Sequence, residues 1–451
     1  MIERIEAYVE ANKDRFVDEL KQWLRFPSVS AQSAHDGDTL ACAQWLVSHV
    51  AAMGLEARLV DKGGKPIVYA RAKGRAGRPV VIYGHYDVQP EDPIDQWHTR
   101  PFEPVIRDGF IYARGASDDK GQVFAHVKAV ESILKAGGQL PCDVVFLLEG
   151  EEESGGDALP QYIRQEKTHL KPRAVVVSDS SMYDDRTPAI TYGLRGIAAL
   201  EITVKGPSRD VHSGSYGGAV ANPAIVLSQL IARCVDSDGR ILVPGLYDDV
   251  AAVQEWERQN ILRLGFDDKV LMDEIQVPRL FGEVGYSTLE RLWARPTFEV
   301  NGLFGGYTGQ GAKTIVPASA TAKISLRLVP HQDPDKVRNL VLRHVRSICP
   351  DTVCLSIAEA HASPPVLFDV NNPAMRAAQE ALRLGFGAEP VFIRCGGSIP
   401  VVTTFVQELS CPVLLMGFGL DSDGAHSPNE RFKVDSFIKG ARTSAHLLLT
   451  M

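Results

Sequence analysis

The stretches PVVIYGHYD (79–87) and DVVFLLEGEEESGG (143–156) decide the fold. Each opens on an unbroken run of β-branched and large apolar residues, the pattern of a strand covered on both faces, and each ends in a polar cluster. Between them KGQVFAHVKAVESILKAGG (120–138) repeats apolar residues at three-to-four spacing and stops on paired glycines, which predicts a helix with a C-terminal stop. AVVVSD (174–179) repeats the strand pattern. Alternation of this kind predicts a parallel sheet with helices on its faces. Ligands in such sheets gather beyond the carboxyl ends of the strands, where these polar clusters fall.

Outward from these runs the pattern changes. GIAALEITVKG (196–206) alternates like a half-buried strand, and a helix is expected near 221–234. ATAKISLRLVP (320–330), the helical PDKVRNLVLRHVRSI (334–348) and TVCLSIAEA (352–360) continue a second α/β arrangement. Within it, 235–296 reads as an elaboration with two helices. From about 363 the first pattern returns, with a helix at 371–385, a turn at RCGGSIP (394–400), a strand in PVLLMGFG (412–419) and the loop GAHSPNE (424–430). The expectation is an α/β protein with a mixed, mostly parallel sheet flanked by helices. Its catalytic domain is discontinuous, 1–196 and 363–451, and a separate α/β lid is inserted at 197–362.

A chain of 451 residues is too long for one ordinary core, which agrees with two domains. Its net charge of −8 is spread along the chain and argues against a nucleic-acid or anionic-membrane surface, leaving small solutes as partners. The N-terminus MIERIEAYVEANKDRF offers no uninterrupted apolar stretch for a signal peptide, and no run is long enough to span a bilayer. Seven cysteines, an odd number without a CxxC pair, are expected as reduced thiols in a cytoplasmic protein.

Five acidic or histidine clusters stand at the expected strand ends: GHYD (84–87), GASDDKG (115–121), EGEEESGG (149–156), VSDSS (177–181) and GAHSPNE (424–430). Singly, each has a bland reading as a solvated loop or a structural histidine. Together they supply imidazole and carboxylate ligands without thiolate, and enough negative charge for two divalent cations. A two-metal site polarises a carbonyl and lowers the pKa of a bridging water, supplying hydroxide near neutral pH. Of the consecutive Glu152 and Glu153, one is free to ligate and the other to act as base, because adjacent side chains diverge.

His85-Tyr-Asp87, Asp118-Asp119-Lys120-Gly121, Glu152-Glu153-Ser154, Ser178-Asp179 and Gly424-Ala425-His426-Ser427 resemble, in order, five motifs of the carnosinase and cytosolic non-specific dipeptidase family. The wider group includes acetylornithine deacetylase and the glutamate carboxypeptidases. The resemblance runs from about residue 20 to the C-terminus and implies a di-zinc exopeptidase-like fold holding two divalent ions, zinc or manganese, per subunit. It makes Asp118 the bridging ligand, with His85 and Asp179 completing one metal and Glu153 and His426 the other. It makes Glu152 the general base, and Asp87 the acceptor that orients the second nitrogen of His85. Asp119, Glu149 and Glu151 read as structural or solvated.

In the lid, Asp210-Val211-His212-Ser213-Gly214 resembles the segment whose histidine enters the partner subunit's site and stabilises the oxyanion, which implies a homodimer. Thr314, Arg327, Gly397 and Ser398 match positions that hold the substrate, the arginine suiting a free carboxylate through its bidentate fork. Without the resemblance, Arg327 reads as a surface strand residue and Ser398 as an ordinary turn residue. Cys395 and Asn222 depart from the animal dipeptidase pattern and bear on substrate preference. The implied activity is hydrolysis of dipeptides with a free C-terminal carboxylate, by attack of the metal-bridging hydroxide. An N-acyl amino acid deacylase or a carboxypeptidase of the same group is the alternative.

Overall fold

The computed structural model describes residues 1–451. They divide into two compact units, Met1–Tyr192 with Phe368–Ile393 and Thr404–Met451, and Gly193–Leu367 with Arg394–Thr403. The chain leaves the first unit at Tyr192 and returns at Phe368, rather than at 196 and 363. Residues 394–403, expected with the catalytic part, group with the second unit. The reason is local hydrogen bonding: the Arg195 backbone N–H donates to the Cys395 carbonyl (3.2 Å) and its Nε to the Gly396 carbonyl (2.9 Å), while Arg394 pairs with Glu257.

In the first unit the apolar runs become the strands Val80–His85, Val144–Glu149 and Ala174–Val177. They pair in parallel, joined by Val413–Leu415. Register sets His85 opposite Glu149, so the polar ends of these strands share one edge. Antiparallel strands flank this centre, Glu56–Val60 and Ile67–Ala72 on one side and Ala189–Leu194 on the other. The sheet is therefore mixed, with parallel pairing at its centre. The 56–72 pair is a hairpin, and a connection that short permits only antiparallel pairing.

The helix Lys120–Lys135 is buried along almost its whole length, and its polar residues are satisfied individually, as burial requires. Lys120 Nζ donates to the Phe26 carbonyl (2.9 Å), and Gln122 Oε1 accepts from the Phe418 backbone N–H (2.6 Å). His126 lies between the hydroxyls of Ser178 (2.7 Å) and Ser444 (2.8 Å). Helices Ile2–Leu24 and Val434–Thr450 pack against it, so the residues preceding Lys120 start from a rigid base.

The second unit carries a four-stranded antiparallel sheet, in the order Thr297–Gly305, Ser319–Leu328, Gly196–Lys205 and Cys354–Ser363. Helices Pro223–Ala232 and Pro334–Ile348 pack on it over an apolar core that includes Leu200, Ile202, Leu227, Ile324 and Val341. Asn222, a departure noted in the sequence, caps the first of these helices by accepting from the Ala224 N–H (3.0 Å). The 235–296 elaboration holds three helices rather than two: Glu255–Arg263, Asp268–Ile275 and Thr288–Ala294. At 7 to 9 residues they are too short for periodicity to separate all three. Their starts are marked instead by caps, Glu257 and Glu290 reaching back to the N–H groups of Gln254 (2.9 Å) and Ser287 (2.8 Å), and Asp267 accepting from Lys269 (2.8 Å).

Candidate metal centre

All five expected metal ligands lie in the first unit, at its strand ends and loops. His85 is the last residue of Val80–His85 and fully buried. Asp118 stands just before the helix Lys120–Lys135, where the positive end of the helix dipole favours a carboxylate. Glu152 and Glu153 open a single 3-10 turn beyond Val144–Glu149, and Asp179 follows Ala174–Val177. His426 occupies left-handed backbone (φ 62°), a conformation costing a non-glycine residue about 1–2 kcal/mol. Strain of that kind concentrates at functional sites.

The side chains converge on Asp118. Its Oδ1 is 2.9 Å from His85 Nε2 and its Oδ2 is 2.9 Å from His426 Nε2. Asp179 Oδ2 approaches His85 Nε2 at 4.0 Å, and Glu153 Oε2 approaches His426 Nε2 at 3.2 Å. The result is two three-residue groups, His85–Asp118–Asp179 and Asp118–Glu153–His426, each with ligand atoms within 4.8 Å of one another and both sharing Asp118. Nitrogen and oxygen donors without thiolate fit a pair of hard or borderline divalent ions.

A third cluster, Glu19–His49–Glu131, has similar spacing. The Lys128 ammonium already fills it, 2.5 Å from Glu19, 2.8 Å from Glu131 and 2.8 Å from His49 Nε2. It is an internal ion network rather than a metal site.

Asp87 behaves differently from expectation. His85 Nδ1 bonds to the backbone carbonyl of Asp87 (3.1 Å), while the nearest carboxylate oxygen stands at 3.5 Å. The carboxylate is engaged elsewhere, accepting from Ser30 Oγ (2.6 Å) and from the Glu153 N–H (3.1 Å). The residue still fixes the imidazole, through its main chain, and its side chain anchors the Glu153 turn. Asp119 is structural, as read, its Oδ2 accepting from the His85 N–H (3.3 Å). Glu149 is buried and accepts from Tyr83 (2.8 Å) instead of facing solvent, and burial pushes its carboxyl up to about 8.

Two further residues escaped sequence reasoning. Glu430, fully buried, accepts at one oxygen from the N–H groups of Ser117 (2.9 Å) and Asp118 (3.0 Å). Its other oxygen accepts from the Gly115 N–H (2.8 Å) and Arg114 Nη1 (2.9 Å), so one carboxylate shapes the loop that presents Asp118. Gln89 donates to Glu153 Oε2 (2.8 Å). Glu430 closes the quoted GAHSPNE cluster, but nothing in its spacing distinguished it from a solvated acid.

The electrostatics call for cations. Burial and the neighbouring Asp118 push Asp179 well above the usual carboxylate range. Burial pushes Glu152 up to about 7, against the pull of His85 and with the help of Glu153 and Asp118. Hydrogen bonds to Asp118 and Glu153 hold a proton on His426, raising it to about 10. Burial pulls His85 the other way, but Asp118 and Asp87 prevail and raise it well above its ordinary value. Without metal, protons neutralise the excess carboxylate.

The expected substrate residues all lie in the second unit. His212 is exposed in a short strand, with Nδ1 accepting from the Gly214 N–H (2.9 Å), and the Thr314 carbonyl accepts from the Ser213 N–H (3.0 Å). Arg327 is on Ser319–Leu328, opposite Ile197. Gly397 and Ser398 are half-buried in the turn after Val391–Cys395.

Comparison with known proteins gives a consistent picture. Residues 81–450 match the model of peptidase family M20/M25/M40. The chain is 32% identical to the Cys-Gly metallodipeptidase dug1 of Schizosaccharomyces pombe, covering 98% of this chain and 96% of the relative. It is also 32% identical to the human Beta-Ala-His dipeptidase, covering 100% and 93%. The structure of the metallo-carboxypeptidase Sso-CP2 from Sulfolobus solfataricus superposes with a TM-score of 0.86 at 34% identity, covering 96% and 98%.

Metal must displace the protons on His85 and His426, because only the neutral imidazole ligates. Zinc binding to metal-free protein should therefore release protons, and affinity should fall steadily as the pH drops below about 10, the value to which His426 is raised. Calorimetry in buffers of different ionisation enthalpy measures both. Binding without proton release, or tighter binding in acid, would contradict this arrangement.

Proposed function

Because the chain belongs to peptidase family M20/M25/M40 and, within it, to the carnosinase and cytosolic dipeptidase group, we propose that it is a metal-dependent dipeptidase acting on dipeptides with a free C-terminal carboxylate. The observation that carries this reading is Asp118, one oxygen facing each of two histidines in a pair of clusters that share it. Two divalent cations held there, zinc or manganese, would polarise the scissile carbonyl and acidify a bridging water.

The protein's own groups do the rest. Glu152, raised towards neutrality by burial, takes the proton of the attacking water and returns it to the leaving amine. Glu153 ligates beside it, steadied by Gln89. Arg327 grips the C-terminal carboxylate, with Thr314, Ser398 and the backbone at Gly397 completing that end. His212 stabilises the oxyanion. The Gly214 N–H bonded to Nδ1 leaves the proton on Nε2, so the exposed edge of the ring is a donor, as an oxyanion requires.

We place His212 in trans, in a homodimer, where it completes the site of the other subunit. No helix is long and apolar enough to cross a membrane. The seven cysteines, none in a disulfide, support a reducing cytoplasm.

The likeness to Sso-CP2 keeps a carboxypeptidase as the second reading. A panel of free dipeptides, their N-acetylated and C-amidated forms, longer peptides and N-acyl amino acids separates the readings. We expect kcat/KM to be greatest for free dipeptides and to fall steeply on C-terminal amidation. Preference for N-blocked substrates would replace the dipeptidase with a deacylase or carboxypeptidase.

The shared site has its own test. His212→Ala and Glu152→Gln homodimers should each lose most activity, removal of a general base alone costing roughly 10²–10⁴-fold. A purified heterodimer of the two has one site with an intact base and an intact His212 from its neighbour, and should recover about half of wild-type activity by counting sites. A fully metallated but inactive heterodimer would place His212 in its own subunit's site.

A further inference from the structure

Arg195 is nine-tenths buried, yet no acid neutralises it. Its Nε donates to the Gly396 carbonyl (2.9 Å), while Nη1 is buried without a hydrogen-bond partner. A β-carbon at Gly396 would lie 2.8 Å from Nη2, so the guanidinium rests directly on the glycine turn that carries Gly397 and Ser398. Other buried arginines of the same unit are treated differently. Arg295 has Glu283 at 2.7 Å, and Arg394 pairs with Glu257.

The second-largest influence on Arg195, after burial, is another positive charge, Arg327, and the two together push its guanidinium down to about 10. Cys395 follows, and the acidic Glu299 acts least. Strand register explains the proximity. Arg327 faces Ile197 across the antiparallel pair, and Arg195 precedes Ile197 by two residues, which places the two arginines diagonally on one face. Diagonal neighbours lie about 7–8 Å apart at the backbone, within joint reach of two long side chains. A buried guanidinium with an unsatisfied donor, beside a half-buried second one and with no acid in a salt bridge to either, is costly unless an anion joins them.

We propose that Arg195 and Arg327 form one dianion subsite, Arg327 taking the C-terminal carboxylate and Arg195 the acidic side chain of the same residue. This makes dipeptides ending in aspartate or glutamate the favoured substrates. The subsite rests on the reading that Arg327 holds the substrate's carboxylate, and adds the second charge. A single carboxylate leaves one guanidinium unpaired, and an acidic C-terminal residue pairs both.

The test compares kcat/KM for Ala-Asp and its near-isostere Ala-Asn, with Ala-Ala as reference, in the metal-loaded enzyme at mildly alkaline pH. Wild type should favour Ala-Asp by roughly tenfold or more, the scale of a hydrogen bond between charged groups. Arg195→Gln should bring that ratio to about one, and Arg195→Lys, which keeps a point charge but not the fork, should retain part of it. If Arg195→Gln fails to fold because Gly396 loses its donor, the wild-type and Arg195→Lys ratios still decide. A wild-type ratio at or below one, or a ratio unchanged in Arg195→Gln, overturns the subsite while turnover of Ala-Ala leaves the dipeptidase reading standing. No turnover of any of the three would instead refute the dipeptidase reading, and the subsite with it.

Discussion

The rest of the site depends on one carboxylate with a histidine at each oxygen. Asp118 sits 2.9 Å from both His85 and His426, and the remaining ligands are arranged by which of its oxygens they flank. Such a group brings its own cost. Asp118, Glu152, Glu153 and Asp179 concentrate negative charge in a largely buried space, where repulsion is strong and water does not screen it. Burial first and that repulsion second raise the carboxyls of Glu152 and Asp179, and the same carboxylates hold protons on His426 and His85. Two divalent cations would remove it, so metal binding should stabilise the first unit as well as equip it for catalysis.

Holding Asp118 in place is the work of the surrounding fold. The parallel centre of the sheet brings His85, Glu152 and Asp179 to one edge, and the buried helix from Lys120 supplies a dipole and a rigid platform. Glu430 then fixes the preceding loop through backbone N–H groups at 115, 117 and 118. Asp87 links the two halves of the ligand set, its carbonyl on His85 and its carboxylate on the Glu153 N–H. Neither Glu430 nor the Asp87 side chain is among the proposed metal ligands, yet each positions one of them.

The legible part of the sequence is that in which one physical demand acts alone. Runs such as VVIYG and VVFLLE are strands because both faces are buried, and the ligand residues announce themselves by chemical type at the ends of those runs. What stayed hidden depends on partners distant in sequence or on very short elements. The third helix of 235–296 rests on a cap rather than on periodicity. Glu430 looks like any loop acid until its donors, more than 300 positions away, are folded against it. The grouping of 394–403 with the second unit depends on hydrogen bonds to Arg195, and the burial of Arg195 itself is invisible in a strand-like TYGLRG.

The central claim is that one shared carboxylate organises two cations, and metal stoichiometry tests it most directly. Wild type, Asp118→Ala and His85→Ala are equilibrated with a modest excess of zinc, freed of unbound metal by gel filtration, checked for folding by circular dichroism and submitted to elemental analysis. A shared bridge predicts about two ions per wild-type chain, about one for His85→Ala and nearly none for Asp118→Ala, since both sites lose a ligand together. An Asp118→Ala protein that folds and still retains one or two tightly held ions per chain would contradict it.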